Sequence, residues 1–208
     1  MAYSEADLAA IFACPLYTAG KRPLGGAGEA AVWLPLIAAF SGARLEEMAL
    51  LTPQDVLEDP KHGWYISIND LGEDKHVKTE SSRRMVPIHR LLIQAGLIKY
   101  RDTVVKEPWL FPNLVPNKTG QRSGNWSKWW GRYARQAIGL DKLKCFHSFR
   151  HTFKTACRAA GIEEAVHDAL TGHAAASVGR SYGEQPMKAL RAAMDRIQYP
   201  NVTLPASV

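Results

Sequence analysis

Residues 145–155 read CFHSFRHTFKT and gather His147, Arg150, His151 and Lys154 within eight positions. Phe146, Phe149 and Phe153 stand between them. Helix positions three and four apart share a face, so His147 and Arg150 can reach one target together. Cations held this closely repel one another unless something anionic lies against them. A guanidinium offers a planar fork to anionic oxygens, and an imidazole can take or give a proton near neutral pH. Zinc is the competing chemistry, because His147 and His151 are four apart. The zinc form H-E-x-x-H needs Glu at 148, where Ser148 stands. His167 and His173 could complete a metal set, but no carboxylate spacing supports one. No metal or other cofactor is expected.

The charge around that stretch is uneven. The formal net charge is +6 over 208 residues. Between Lys118 and Arg158 lie ten Lys/Arg (118, 122, 128, 132, 135, 142, 144, 150, 154, 158) against one acid, Asp141. Trp126, Trp129 and Trp130 are interleaved, and their helical spacing places at least one of them in the core. A basic stripe with aromatics suits a polyanion; a solvated basic face reads the same way on charge alone. Cys14, Cys145 and Cys157 fit neither a paired disulfide framework nor a CxxC metal site. No apolar run approaches the ~18 residues of a membrane span. Glu5 and Asp7 stand where an export signal is basic. The expected setting is the cytoplasm, with reduced thiols and no membrane.

The positioning elements follow from periodicity. Ser4, with Asp7 three residues on, predicts a capped helix through Leu8, Ile11 and Phe12. A Gly-rich loop at 18–28 leads to a helix from about Glu29 to Phe40, bent at Pro35. Gly42 breaks it, and a short helix starts at Arg44. Trp64, Ile66 and Ile68 alternate as a strand. HVKTE (76–80) and RRMVPI (83–88) read as two more strands, joined at SSR. Further helices are predicted near 87–101, from about Trp126 to Ile138, from His147 to about Ala160, from Glu163 to near Leu170, and from Pro186 to Ile197. Gly161 and Gly172 follow two of them as caps. The fold class is mainly α with a small antiparallel β-sheet (α+β), in one domain over 1–208.

Four segments, in order, separate this chain from background: SGARLEE, HVKTESSRRMVP, HSFRH and LTGHAAASVGRSYG. The set resembles the catalytic domain of the tyrosine recombinases, the phage integrase family, over nearly the whole chain from Ser4 to about Tyr182. By that resemblance Arg44 matches the first catalytic arginine, in G-x-R-x-x-E, and Lys78 the hairpin lysine. His147 and Arg150 match the H-x-x-R pair, His173 a position that is His or Trp, and Tyr182 the nucleophile. Family members usually carry an N-terminal helical domain that clamps the other side of the DNA. The resemblance implies that this region is absent from the chain. It also implies double-stranded DNA as partner, a monomer in isolation, a homotetramer on synapsed DNA, and action at the bacterial nucleoid.

Taken singly, these residues have plainer readings. Arg44 is a helix-start arginine, and Lys78 is one cation beside Lys75, Arg83 and Arg84. His151 reads as a structural neighbour, and His173 as a helix-end histidine facing exposed carbonyls. Tyr182 is one of seven tyrosines; its offset of nine from His173 promotes it. The resemblance implies site-specific cleavage and rejoining through a 3′-phosphotyrosyl intermediate, without metal or ATP. A type IB topoisomerase-like strand transferase and a catalytically decayed DNA-binding module are the alternatives. All six matched residues being present argues against decay.

Past Tyr182, Met187, Leu190, Met194 and Ile197 form one apolar helical stripe. The stripe would close the domain's own core. The resemblance implies instead that residues 185–199 dock in trans on synapsed DNA, and lie in cis or loosely without it.

Overall fold

Ser4 and Asp7 cap the first helix, α1 (Glu5–Phe12), reciprocally. The Asp7 amide donates to Ser4 Oγ at 3.2 Å, and the Ser4 amide donates to Asp7 Oδ2 at 2.6 Å. The computed structural model describes residues 1–72, 83–173, 186–200 and 202–204. A one-turn helix, α2 (Pro15–Thr18), follows. The Gly-rich loop then leads into α3 (Ala30–Ser41), which runs through Pro35 with all twelve residues buried. A helix apolar on every side belongs at the centre of a core. Gly42 ends α3 at φ +62, where a side chain would be strained. A Cβ there would also stand 2.7 Å from the Phe153 ring.

The short α4 (Leu45–Ala49) starts immediately, with Arg44 as its N-cap. Next come β1 (Val56–Asp59), β2 (Gly63–Ile68) and β3 (Arg84–Pro87), in an antiparallel meander of order β1-β2-β3. The register pairs Val56 with Ile66 and Ile66 with Val86, so one buried row crosses the sheet. The expected strand at 76–80, and most of the turn after it, lie outside the described residues. β1 was not anticipated. Its sequence, Val-Leu-Glu-Asp, buries only Val56 fully, so it carries no alternation to read; the ladder to β2 defines it.

The helix expected near 87–101 is two, α5 (Arg90–Gln94) and α6 (Leu97–Thr103), because Gly96 between them sits at φ +101. α7 (Ser123–Tyr133) begins before Trp126 and relaxes into a wide π-type turn at Ala134–Ile138. α8 (Ser148–Ala159) packs along α3 through Phe149, Phe153 and Cys157, all fully buried. α9 (Glu164–Thr171) ends at Gly172, and α10 (Met187–Met194) lies on β3 and α9.

The basic stripe is partly internal. Trp126 and Trp130 stack at 5.7 Å inside the core, edge-on to Phe146, and Trp129 is half-buried beside them. Four of the ten cations are engaged by the protein. Arg122 lies over Trp109 and donates to the Ala49 and Phe111 carbonyls. Lys144 pairs with Asp7, and Lys154 with Asp168. Arg150 is buried. Lys118, Lys128, Arg132, Arg135, Lys142 and Arg158 remain exposed.

Candidate active site

Arg150 leaves the buried face of α8 and ends among carbonyls. Its Nη1 donates to Gly42 O at 2.7 Å and to Thr171 O at 2.6 Å, the ends of α3 and α9. Both helices stop there because Gly42 and Gly172 adopt positive φ, which leaves the last carbonyls free to accept. Arg150 Nη2 stands 2.9 Å from His173 Nδ1. Lys154 Nζ and Thr171 Oγ1 reach the same ring nitrogen at 3.4 and 3.3 Å. A guanidinium can only donate, so Nδ1 accepts and the neutral ring carries its proton on Nε2. Burial, then the charges of Arg150 and Lys154, push the His173 pKa down. His173 is thus held as a neutral Nε2–H donor on the exposed side of the site.

Arg44 enters from the other side. Its Nη1 pairs with Glu47 Oε1 at 2.6 Å, and its Nη2 points to Gly172 O at 3.4 Å. The second Glu47 oxygen takes Arg84 Nη2 at 2.7 Å. Burial would raise the Glu47 carboxyl, but Arg84 and then Arg44 hold it below its ordinary value, so it is ionised at neutral pH. Burial, helped by the Arg44 and Arg84 charges, brings Arg150 down to about 10, which leaves it a cation.

His147 is the residue before α8, exposed, with its ring edge-on to His151 at 5.0 Å. Burial, then the charges of His151, Arg150 and Arg44, lower its pKa, which favours a neutral ring able to accept a proton. The structure therefore brings together Arg44 at the start of α4, His147 and Arg150 from the first turns of α8, and His173 just past α9. Lys78 and Tyr182 lie outside the described residues. In the sequence Lys78 is six residues before Arg84, and Tyr182 nine after His173. Glu47, Arg84, Lys154 and Thr171 were not anticipated as site residues. Glu47 and Arg84 stand inside the motifs G-x-R-x-x-E and R-x-V-P, which is where their signal lay. Among the described residues, no group of three His, Cys, Asp or Glu is arranged to hold a metal ion.

The architecture matches a solved one. The integrase from mycobacterium phage Brujita superposes with a TM-score of 0.61 over 99% of this chain, at 15% identity. The chain has the integrase fold. It spans 60% of the length of that phage integrase. The Tn1549 transposon integrase, solved in complex with transposon right end DNA, gives a TM-score of 0.44 at 19% identity over 78% of this chain and 57% of that one. No protein-family model matches the sequence, and no curated protein does. The integrase fold here is the mainly helical α+β class expected from the sequence. Among the described residues, no helix is long and apolar enough to cross a membrane.

Proposed function

We propose that the chain is a tyrosine recombinase that cuts and rejoins DNA at specific sites. The observation that carries this is the convergence of Arg44, Arg150 and His173, donors fixed in place before any anion arrives. A phosphodiester is anionic and repels nucleophiles, and attack on phosphorus loads charge onto the non-bridging oxygens. Arg44, Arg150 and the Nε2–H of His173 stabilise those oxygens. Tyr182 Oη forms the new bond to phosphorus and gives its proton to His147. The bond from phosphorus to the 5′ oxygen breaks, and Lys78 supplies the proton that makes it a hydroxyl. The product is a 3′-phosphotyrosyl linkage. A 5′ hydroxyl of another strand reverses the same steps, so neither metal nor ATP is consumed.

The tyrosines support this assignment. Hydroxyls of Tyr3, Tyr17, Tyr100 and Tyr199 donate to backbone carbonyls, and that of Tyr133 to Cys14 Sγ. Burial pushes all five upward, away from the phenolate a nucleophile needs. Of seven tyrosines, that leaves Tyr65 and Tyr182. Four copies working on two duplexes, each copy a monomer when free, complete the reading, with double-stranded DNA as partner. The test is incubation with nicked DNA followed by a denaturing gel. A protein–DNA adduct that forms in EDTA is expected; no adduct on any candidate site, or one that needs metal, overturns the proposal.

A further inference from the structure

Arg84 is almost fully buried on β3, with its side chain 6% exposed, yet it points into the site. Its guanidinium links Glu47 on α4 with the end of α9. Nη2 and Nη1 meet Glu47 Oε2 and Oε1 at 2.7 and 3.3 Å, a two-pronged pairing with one carboxylate. Nε donates to Leu170 O at 2.9 Å, in the last turn of α9. Glu47 in turn holds Arg44 through its Nη1 and its backbone amide, at 2.6 and 2.8 Å. On the other side, the Arg84 guanidinium fills the space a Cβ on residue 172 would occupy, with Nη1 2.7 Å from that position. His173 is the next residue. One planar group thus touches what sets Arg44 and what sets His173, although it need not touch the reacting phosphate.

We propose that Arg84 is a positioning residue of the candidate site, a brace that fixes Arg44 through Glu47 and His173 through the end of α9. This inference rests on the recombinase reading for the reaction it serves. A lysine cannot replace the fork: one ammonium cannot span both Glu47 oxygens and the Leu170 carbonyl. The effect on rate comes through geometry, where a displacement of about 1 Å can cost about a hundredfold.

The experiment compares wild type, Arg84→Gln and Arg84→Lys for thermal unfolding, affinity for nicked DNA, and rate of covalent capture. Capture should fall about 10- to 100-fold in both variants, with DNA affinity within about threefold. A double-mutant cycle separates bracing from general structure. On an Arg44→Ala background, Arg84→Gln should cost much less than it does alone, because half of what it braces is gone. A folded Arg84→Gln that captures DNA like wild type overturns the proposal. So does a full, undiminished loss on the Arg44→Ala background, and so does failure of both variants to fold, which would make Arg84 a determinant of the fold. If wild type gives no adduct, the recombinase reading fails and the brace is judged by histidine NMR. Arg84→Gln should then shift the His173 ring resonances and leave those of His62 in place; an unmoved His173 overturns it.

Discussion

Arg150 and His173 are joined side chain to side chain, with Nη2 2.9 Å from Nδ1. The pair spans α8 and the second residue after α9, and the same guanidinium caps α3 and α9 through Gly42 O and Thr171 O. Arg150 therefore has a structural duty beside the chemical one proposed for it. Arg150→Ala should destabilise the fold by about 1–3 kcal/mol for a buried carbonyl left without a donor. It should also slow covalent capture by about 10²–10³. Arg150→Lys should recover little of the rate. Urea unfolding and a capture time course measure the two losses; a variant as stable and as fast as wild type would refute both duties.

Tyr182→Phe should abolish covalent capture and leave DNA binding nearly unchanged, since one hydroxyl adds little to an interface dominated by phosphate contacts. Tyr65→Phe is the informative control, because the other five tyrosines have committed hydroxyls. Capture that survives in Tyr182→Phe and vanishes in Tyr65→Phe would reassign the nucleophile.

Stability should fall as pH drops below neutrality. Burial depresses the pKa values of His89, His147 and His173 in the folded protein. His89 is held between the Leu91 amide and the Ile197 carbonyl and stacks on Phe40. As pH falls through the ordinary histidine value near 6.5, the unfolded chain takes up protons before the folded one does. The folded state is therefore disfavoured progressively below that point. Glu47, held below its ordinary value, adds a separate loss only at more acid pH. Thermal midpoints from about pH 7.5 to 5 should decline, and less steeply in His89→Gln. Covalent capture should fall in the same direction, because a protonated His147 cannot accept the tyrosine proton. A flat profile for both would refute these assignments.

Much of this was legible beforehand, for physical reasons that differ by residue. The Ser4–Asp7 cap and the glycines at 42 and 172 are local, so spacing alone reveals them. Arg44, His147, Arg150 and His173 were singled out because the motif order resembles that of a family, not because periodicity marks them. What stayed hidden is long-range. Glu47 reaches Arg84 across 37 positions, and nothing local to either residue announces it. The tryptophans carried two signals. Interleaved with cations they suggested a surface, and their helical spacing pointed to the core; the helix turns Trp126 and Trp130 inward and Lys128 outward.

Gly172→Ala should damage the site more than its size suggests. The position has φ +66, and the new Cβ would stand 2.7 Å from Arg84 Nη1 and 3.1 Å from Cζ. Backbone strain alone costs about 1 kcal/mol. Displacement of the guanidinium and of His173 should slow capture further. Gly20→Ala is the matched control: its φ is +59, but nothing lies within 4 Å of the added Cβ. Equal losses of capture in the two variants would remove any special role for the end of α9.

The C-terminal segment bears on whether copies exchange helices on DNA. In the structure α10 is seated in cis. Leu190, Met194 and Ile197 are buried, and Arg191 donates to the carbonyls of His62, Trp64 and Ile88 at 2.9, 2.6 and 2.8 Å. Tyr199 packs edge-on to Phe40 at 5.2 Å. Removing three buried apolar side chains forfeits about 1.5–3 kcal/mol each, against a total stability of about 5–15 kcal/mol. Deletion after Gln185 should therefore leave a poorly folded protein, so deletion alone cannot test docking in trans. Exchange would need a neighbour's α10 to fill the same seat and meet the same three carbonyls. Arg191→Ala should then weaken the cis seat, seen as a lower unfolding midpoint, and also weaken cooperative assembly on paired sites. A synthetic peptide of residues 186–204 should rescue the midpoint of the deleted chain, because the described partners of this segment, among them Ala39, His62, Trp64, Ile88 and His89, all precede the deletion. Rescue of the midpoint, together with unchanged assembly of Arg191→Ala on paired DNA sites, would confine α10 to its own domain and end the trans-docking proposal.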